Sequence, residues 1–204
     1  METTRRFPAW LWWSIAIGCV IAIAAAVAYF VSSYQPRLPP GLAEKRREAV
    51  SLLEESGRIE DVDIRALQEL EAAKAYADAV VLLERALAAN ASREQLSVRL
   101  VTVSEELSRL ALVIEPDSIG AKAIEAFGLL TKLAEAEYAF YDGRRELYEV
   151  TRDYYLELAA ERTVPFPRQL AEQVEAVNAD FERTQELRKQ FSSAISAFDV
   201  AVQR

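Results

Sequence analysis

Histidine is absent from this 204-residue chain, and cysteine occurs once, as Cys19. Without histidine, the side chain that most often serves as general base or transition-metal ligand near neutral pH is missing. The Glu-x-x-His di-metal sites of helical bundles are excluded with it. Cys19 lies inside an apolar run, so the rest of the chain has no thiol for a disulfide, a zinc site or a nucleophile. A thiol-free domain suits an oxidising compartment. Glycine and proline are scarce, and there is neither a Gly-rich phosphate loop nor a Gly-x-Ser-x-Gly elbow. No stretch alternates apolar and polar residues long enough for a sheet. From Val31 onward 22 Lys and Arg face 31 Asp and Glu, a net of −9, which repels nucleic acid on average. Carboxylate pairs such as Glu105-Glu106 and Glu135/Glu137 have no evident partner in the sequence. The expectation is a protein that is not an enzyme, with no catalytic residue, no cofactor, no metal site and no nucleic-acid partner.

What dominates instead is Ala, Leu, Glu, Arg and Val, a composition that favours long helices. Trp10 to Val31 is an apolar run without a charge. At about 1.5 Å per residue it reaches about 33 Å as a helix, enough for a hydrocarbon core of about 30 Å. Trp10, Trp12 and Trp13 at one boundary, with Tyr29, Phe30 and Tyr34 at the other, are aromatics of the kind that sit at membrane interfaces. The run exceeds the about 7–15 apolar residues of a signal peptide, so a retained anchor is expected rather than cleavage after Ala26-Val27-Ala28. Ala16-Ile17-Gly18-Cys19 is a poor lipidation box, and Phe7-Pro8 breaks a twin-arginine pattern. The chain divides into a short tail (1–9), a transmembrane anchor (10–31), a Pro-rich linker (32–41) and a helical bundle domain (42–204). Arg5 and Arg6 place the tail in the cytoplasm and the domain outside; Arg37, Lys45, Arg46 and Arg47 argue for the opposite orientation.

Within the domain, Leu42–Glu55 reads as a short helix ended by Ser56-Gly57. Its Lys45-Arg46-Arg47 cluster either meets anionic lipid headgroups or pairs with Glu44 and Glu48. Asp61–Asn90 reads as one long helix, with Leu67, Leu70, Ala73, Ala77, Val80, Leu83 and Leu87 on a single stripe. Its Ala75–Asn90 part resembles the second helix of a tetratricopeptide repeat, without a second copy about 34 residues away. Asn90-Ala91-Ser92 matches a glycosylation acceptor. Ser92 and Gln95 also form a capping box that would start a new helix there. That helix carries a heptad seam of Leu96, Leu100, Val103, Leu107, Leu110 and Ile114. Glu115-Pro116-Asp117-Ser118 breaks it, and the next helix runs to about Glu161 with Leu130, Leu133, Phe140, Leu147, Tyr154 and Leu158 inward.

A turn at Thr163–Pro167 precedes a last helix from Arg168 to about Val202. Its seam of Leu170, Val174, Val177, Phe181, Phe191, Ile195, Phe198 and Val202 is interrupted by Thr184 and Arg188. Short connections make neighbouring helices antiparallel. The expected fold class is all-α: a single N-terminal transmembrane helix followed by an antiparallel helical bundle, or coiled-coil-like domain, of four to five long helices.

One stretch stands out, Glu137–Leu158. Tyr141, Tyr148 and Tyr155 recur every seven residues, with Arg145 and Arg152 between them and Tyr138 beside them. Tyrosine and guanidinium groups stack by cation–π contact and suit interfaces. These six residues form a candidate partner-binding ridge. The structural alternative is that the tyrosines wall the bundle edge with their hydroxyls in water, while the arginines pair with neighbours such as Glu149. The same region, from Arg144-Arg145 through Tyr148 and Tyr154 to Phe166-Pro167, resembles the LemA family of membrane-anchored helical-bundle proteins. The resemblance implies that architecture here too, although the long helix after Pro167 and the Pro-rich linker depart from the family pattern. The functional expectation is a membrane-anchored helical interaction or scaffold protein that presents an acidic extracytoplasmic bundle to a protein partner or to itself, with the lipid bilayer around its anchor. The alternative is a sensory or small-molecule-binding helical ectodomain that acts through a partner.

Overall fold

The computed structural model describes residues 36–61 and 63–203. The run 10–31, and the transmembrane helix expected of it, lie outside the described residues. Among the described residues no helix is long and apolar enough to cross a membrane. They hold five helices: α1 (Leu42–Arg58), α2 (Ile64–Ala72), α3 (Tyr76–Ala111), α4 (Asp117–Ala159) and α5 (Gln169–Val202).

Where these helices begin and end differs most from the sequence reading in two places. The expected helix from Asp61 to Asn90 is split. Asp63 caps α2 by accepting from the Arg65 backbone N–H at 2.9 Å. Lys74 then adopts a left-handed backbone (φ 56°), and the Ala75 N–H bonds back to Leu70 O at 2.9 Å. Ala73-Lys74-Ala75 contains no glycine or proline, so the break has no local cause. It lets Leu67 and Leu70 fold back onto Val80, Leu83 and Tyr155. The second correction is at Ser92, where a helix start is expected. α3 passes straight through, and the Ser92 hydroxyl donates back to Ala88 O at 3.1 Å instead of capping. Ala86, Asn90, Arg93 and Leu96 form an unbroken buried stripe across that point, and its packing overrides the local capping preference. Asn90 has no solvent exposure, which closes the glycosylation acceptor in the folded domain.

A smaller difference is at the end of α1, which runs through Ser56-Gly57, expected to stop it, to Arg58 before Ile59 turns extended. α3 and α4 are joined at Glu115-Pro116, and the long helices α4 and α5 at residues 160–168. Glu106 pairs with Lys45, whereas Arg93 reaches Asp61, so α1 runs antiparallel to α3. Phe127 meets Phe198 while Glu137 meets Arg188, so α5 runs antiparallel to α4. α1 and α2 lie end to end along α3, which packs on α4, which packs on α5.

The core falls into two blocks. The larger joins Leu42, Ala49 and Leu52 of α1 to the α3 seam, to Phe127 and Leu130 of α4, and to Phe198 of α5. Leu96, Leu100, Val103, Leu107 and Ile114 of the expected seam are all buried, and Leu110 is packed against them. The smaller block gathers Ala79, Val80, Leu83 and Tyr155, with Leu67, Leu70, Tyr148 and Tyr154 packed on it. Burial of one such Phe or Leu contributes about 1.5–3 kcal/mol.

Two of the three basic residues of α1, Lys45 and Arg46, turn toward the bundle, while Arg47 stays exposed. Lys45 pairs with Glu48 at 3.0 Å and Glu106 at 2.7 Å. Arg46 pairs with Asp199 at 2.7 Å and lies over the Phe198 ring. Arg47 donates to Ala43 O at 3.3 Å.

Candidate functional site: a charged chamber at the middle of the bundle

Between the two apolar blocks runs a belt of polar side chains drawn from α3, α4, α5 and the α1–α2 junction. Arg93 of α3 is only 7% exposed. Burial of an unpaired guanidinium costs several kcal/mol, so its partners matter. It donates to Asp61 at 3.1 Å and to the Ile59 carbonyl, and it lies 5.9 Å from the Tyr141 ring centroid. These contacts tie the extended residues after α1 to the middle of α3. Arg144 of α4 binds the same Asp61 carboxylate with two nitrogens, Nη1 at 3.3 Å, and donates through Nε to the Tyr148 hydroxyl at 2.7 Å. One carboxylate therefore serves two guanidiniums. Burial works against its charge, but the hydrogen bonds from Arg144 and Arg93 outweigh it and hold the Asp61 carboxyl below the ordinary carboxylate range.

Two turns before Arg144 on the inner side of α4, Glu137 is 2% exposed and accepts from Arg188 of α5 at 2.6 Å. The Glu137 carboxylate thus has the partner that the sequence did not reveal. Thr184, also buried, donates its hydroxyl to Asp180 O at 2.8 Å. Thr184 and Arg188 are the two residues that interrupt the α5 seam. The interruption marks where α5 passes this belt. Asn90 completes it, donating to Tyr141 O at 2.6 Å.

The belt borders a cavity of about 520 Å³ that opens to solvent, although Asn90 and Tyr148 do not line it. Asp61, Arg93, Glu137, Arg144 and Arg188 supply its charges; Leu53, Leu133, Phe140, Phe181, Phe191 and Ile195 supply its apolar walls. It has the size and the mixture of apolar wall and few convergent polar groups found in small-molecule sites. Among the described residues no group of three or more acidic, Cys or His side chains is placed to hold a metal ion.

The six ridge residues are divided between core and surface. Tyr141 (8% exposed) sits under Arg93 in the belt, and Tyr155 (4%) stacks on Tyr76 at 6.0 Å. Burial, then the nearby Glu71 carboxylate, pushes the Tyr155 phenol up to about 12. Tyr148 is half-buried and bonded to Arg144. Arg145 pairs with Asp142 and with Glu94 at 3.9 Å, and Arg152 with Asp153 at 2.7 Å. Tyr138, at 38%, faces solvent. The heptad spacing does place Tyr141, Tyr148 and Tyr155 on one face, but that face is turned inward. Asp61 and Arg93 carry no mark in the sequence as members of a site; Glu137 stands out there only as a carboxylate without a partner, and Arg188 only as a break in the α5 seam. The available signal was positional: Arg93 lies three residues before the seam residue Leu96, and Glu137 lies four after Leu133 and three before Phe140, both on the apolar face of their helices. No protein-family model matches the chain, and no curated protein or solved structure matches it.

Proposed function

We propose that the chain is a membrane-anchored helical interaction module that presents its bundle to a helix of a protein partner or of a second copy. The observation that carries this reading is on α5. Its seam is two lines wide. Leu170, Val177, Thr184 and Phe198 are buried against α4, but Val174 (44% exposed) and Phe181 (48%) of the adjoining line remain half in water. Along the α1 half of the bundle that second line is covered, since Ile195 and Val202 pack on the larger core. Along the α2 half it is not, because α2 lies against α3 and makes no close backbone approach to α5. Phe166, just before α5, is 61% exposed and edge-on to Tyr154. A heptad line left open beside a bundle is the surface into which another helix packs. The uncharged run Trp10–Val31 supports the anchor, and Arg5 and Arg6 support a cytoplasmic tail with the bundle outside. Of the tyrosine–arginine ridge, Tyr138, Arg145 and Arg152 are the members whose partial exposure supports a contact with a partner.

The test is crosslinking in native membranes with the double variant V174D/F181D. Both positions are half-exposed, so the variant is expected to keep its helix content while losing the crosslinked partner or dimer. Undiminished crosslinking would contradict the proposal. The belt chamber favours a second reading, a bundle that binds a small molecule, through which occupancy would bias the exposed face.

A further inference from the structure

We infer that the chamber binds a small organic monoanion with an apolar body, such as an arylalkyl carboxylate. This rests on the second, ligand-binding reading. Three guanidiniums, Arg93, Arg144 and Arg188, face two carboxylates, Asp61 and Glu137. The lining thus carries one excess positive charge inside a chain whose net charge is −8. A bound anion neutralises that excess, a neutral molecule leaves it, and a cation doubles it; the low-dielectric walls of the cavity amplify the difference. Arg188 is the group best placed to receive the anion. Its side chain is 54% exposed at the mouth, and its ion pair to Glu137 uses Nη2. Arg93 and Arg144, by contrast, are held deep by Asp61, Tyr148 and the Ile59 carbonyl. Phe140, Phe181 and Phe191 supply aromatic wall for the apolar body. The apolar walls and the volume of about 520 Å³ fit a molecule larger than an inorganic ion, which would leave that surface uncovered.

The test titrates the full chain in lipid nanodiscs with three probes of one shape: phenylacetate, 2-phenylethanol and 2-phenylethylammonium. Empty nanodiscs are the blank. Phenylacetate is expected to bind at least about tenfold more tightly than the other two. Two variants break the same ion pair with opposite consequences for charge. R188Q takes the excess positive charge to zero and is expected to weaken phenylacetate at least about tenfold. E137Q raises the excess to two and releases the Arg188 guanidinium, so it is expected to tighten phenylacetate several-fold. Both variants are titrated well below their unfolding midpoints. Opposite shifts support the inference; weakening in both variants, or no change in either, overturns it by showing that only packing matters. Equal binding of all three probes overturns the anion preference while the ligand-binding reading survives. Binding of none of them removes that reading, and the inference with it.

Discussion

Asp61 belongs to no helix, yet it holds two guanidiniums from two different helices, and its chemistry sets an acid limit on the fold. Its carboxyl is depressed in the folded state relative to its unfolded value of about 4. A depressed carboxyl contributes stability that is present above the unfolded value and is lost as pH falls through the folded one. The wild type should therefore exceed Asp61→Asn in urea midpoint at pH 7, and the gap should close as pH drops below about 4. A gap that stays constant down to pH 2 would show that the guanidiniums do not depend on that charge. Little of this was legible from the sequence. Asp61 reads as a helix start, and Arg93 as one more charge in an Arg- and Glu-rich helix. A linear pattern records which residues share a face, but not which distant carboxylate a buried guanidinium finds. Arg188 and Thr184 were visible only as an interruption. Their cause, a belt crossing all the long helices, required the packing.

At the scale of elements, the glycines of α4 separate helix propensity from packing. An interior Gly→Ala substitution ordinarily stabilises a helix by about 1 kcal/mol. Gly128 has nothing within 4 Å of where a Cβ would stand, so Gly128→Ala should raise stability by about that amount. Gly120 lies where α4 turns back beneath the α3 connection, and a Cβ there would sit 2.8 Å from the Ile114 carbonyl oxygen. Gly120→Ala should therefore destabilise, by about 1–3 kcal/mol, because backbone would have to move. Thermal or urea unfolding of the two variants checks the signs; stabilisation in both would mean that the connection yields freely. Long periodic segments were legible. The α3 seam, the break at Pro116 and the turn at Thr163–Pro167 all stand where spacing and proline place them. Two boundaries were not. The capping box at Ser92 lost to a buried stripe that spans it, and the left-handed turn at Lys74 has no residue that announces it. Tertiary packing decided both.

Three features come together in the whole molecule. The uncharged N-terminal run supports anchorage, the belt gives the bundle a charged chamber, and the open line of α5 leaves apolar surface beside that chamber. Phe181 belongs to both, since it lines the cavity and stands half-exposed on α5. A partner helix laid along Val174 and Phe181 would cover the chamber mouth, so ligand and partner would sense one another. The all-helical bundle was legible because its seams are long; the open side was not, since Val174 and Phe181 look as apolar in sequence as the buried Leu170 and Val177. What distinguishes them is that the line of Leu170 and Val177 faces α4, while α2, packed on α3, leaves the adjoining line uncovered. The most direct measurement is therefore photo-crosslinking from position 181 of the full chain in native membranes, with the solvent-facing Arg99 of α3 as reference. The account predicts a discrete protein adduct, partner or second copy, from position 181 and none from position 99. Membrane-retained chain that yields no more adduct from 181 than from 99 would contradict it.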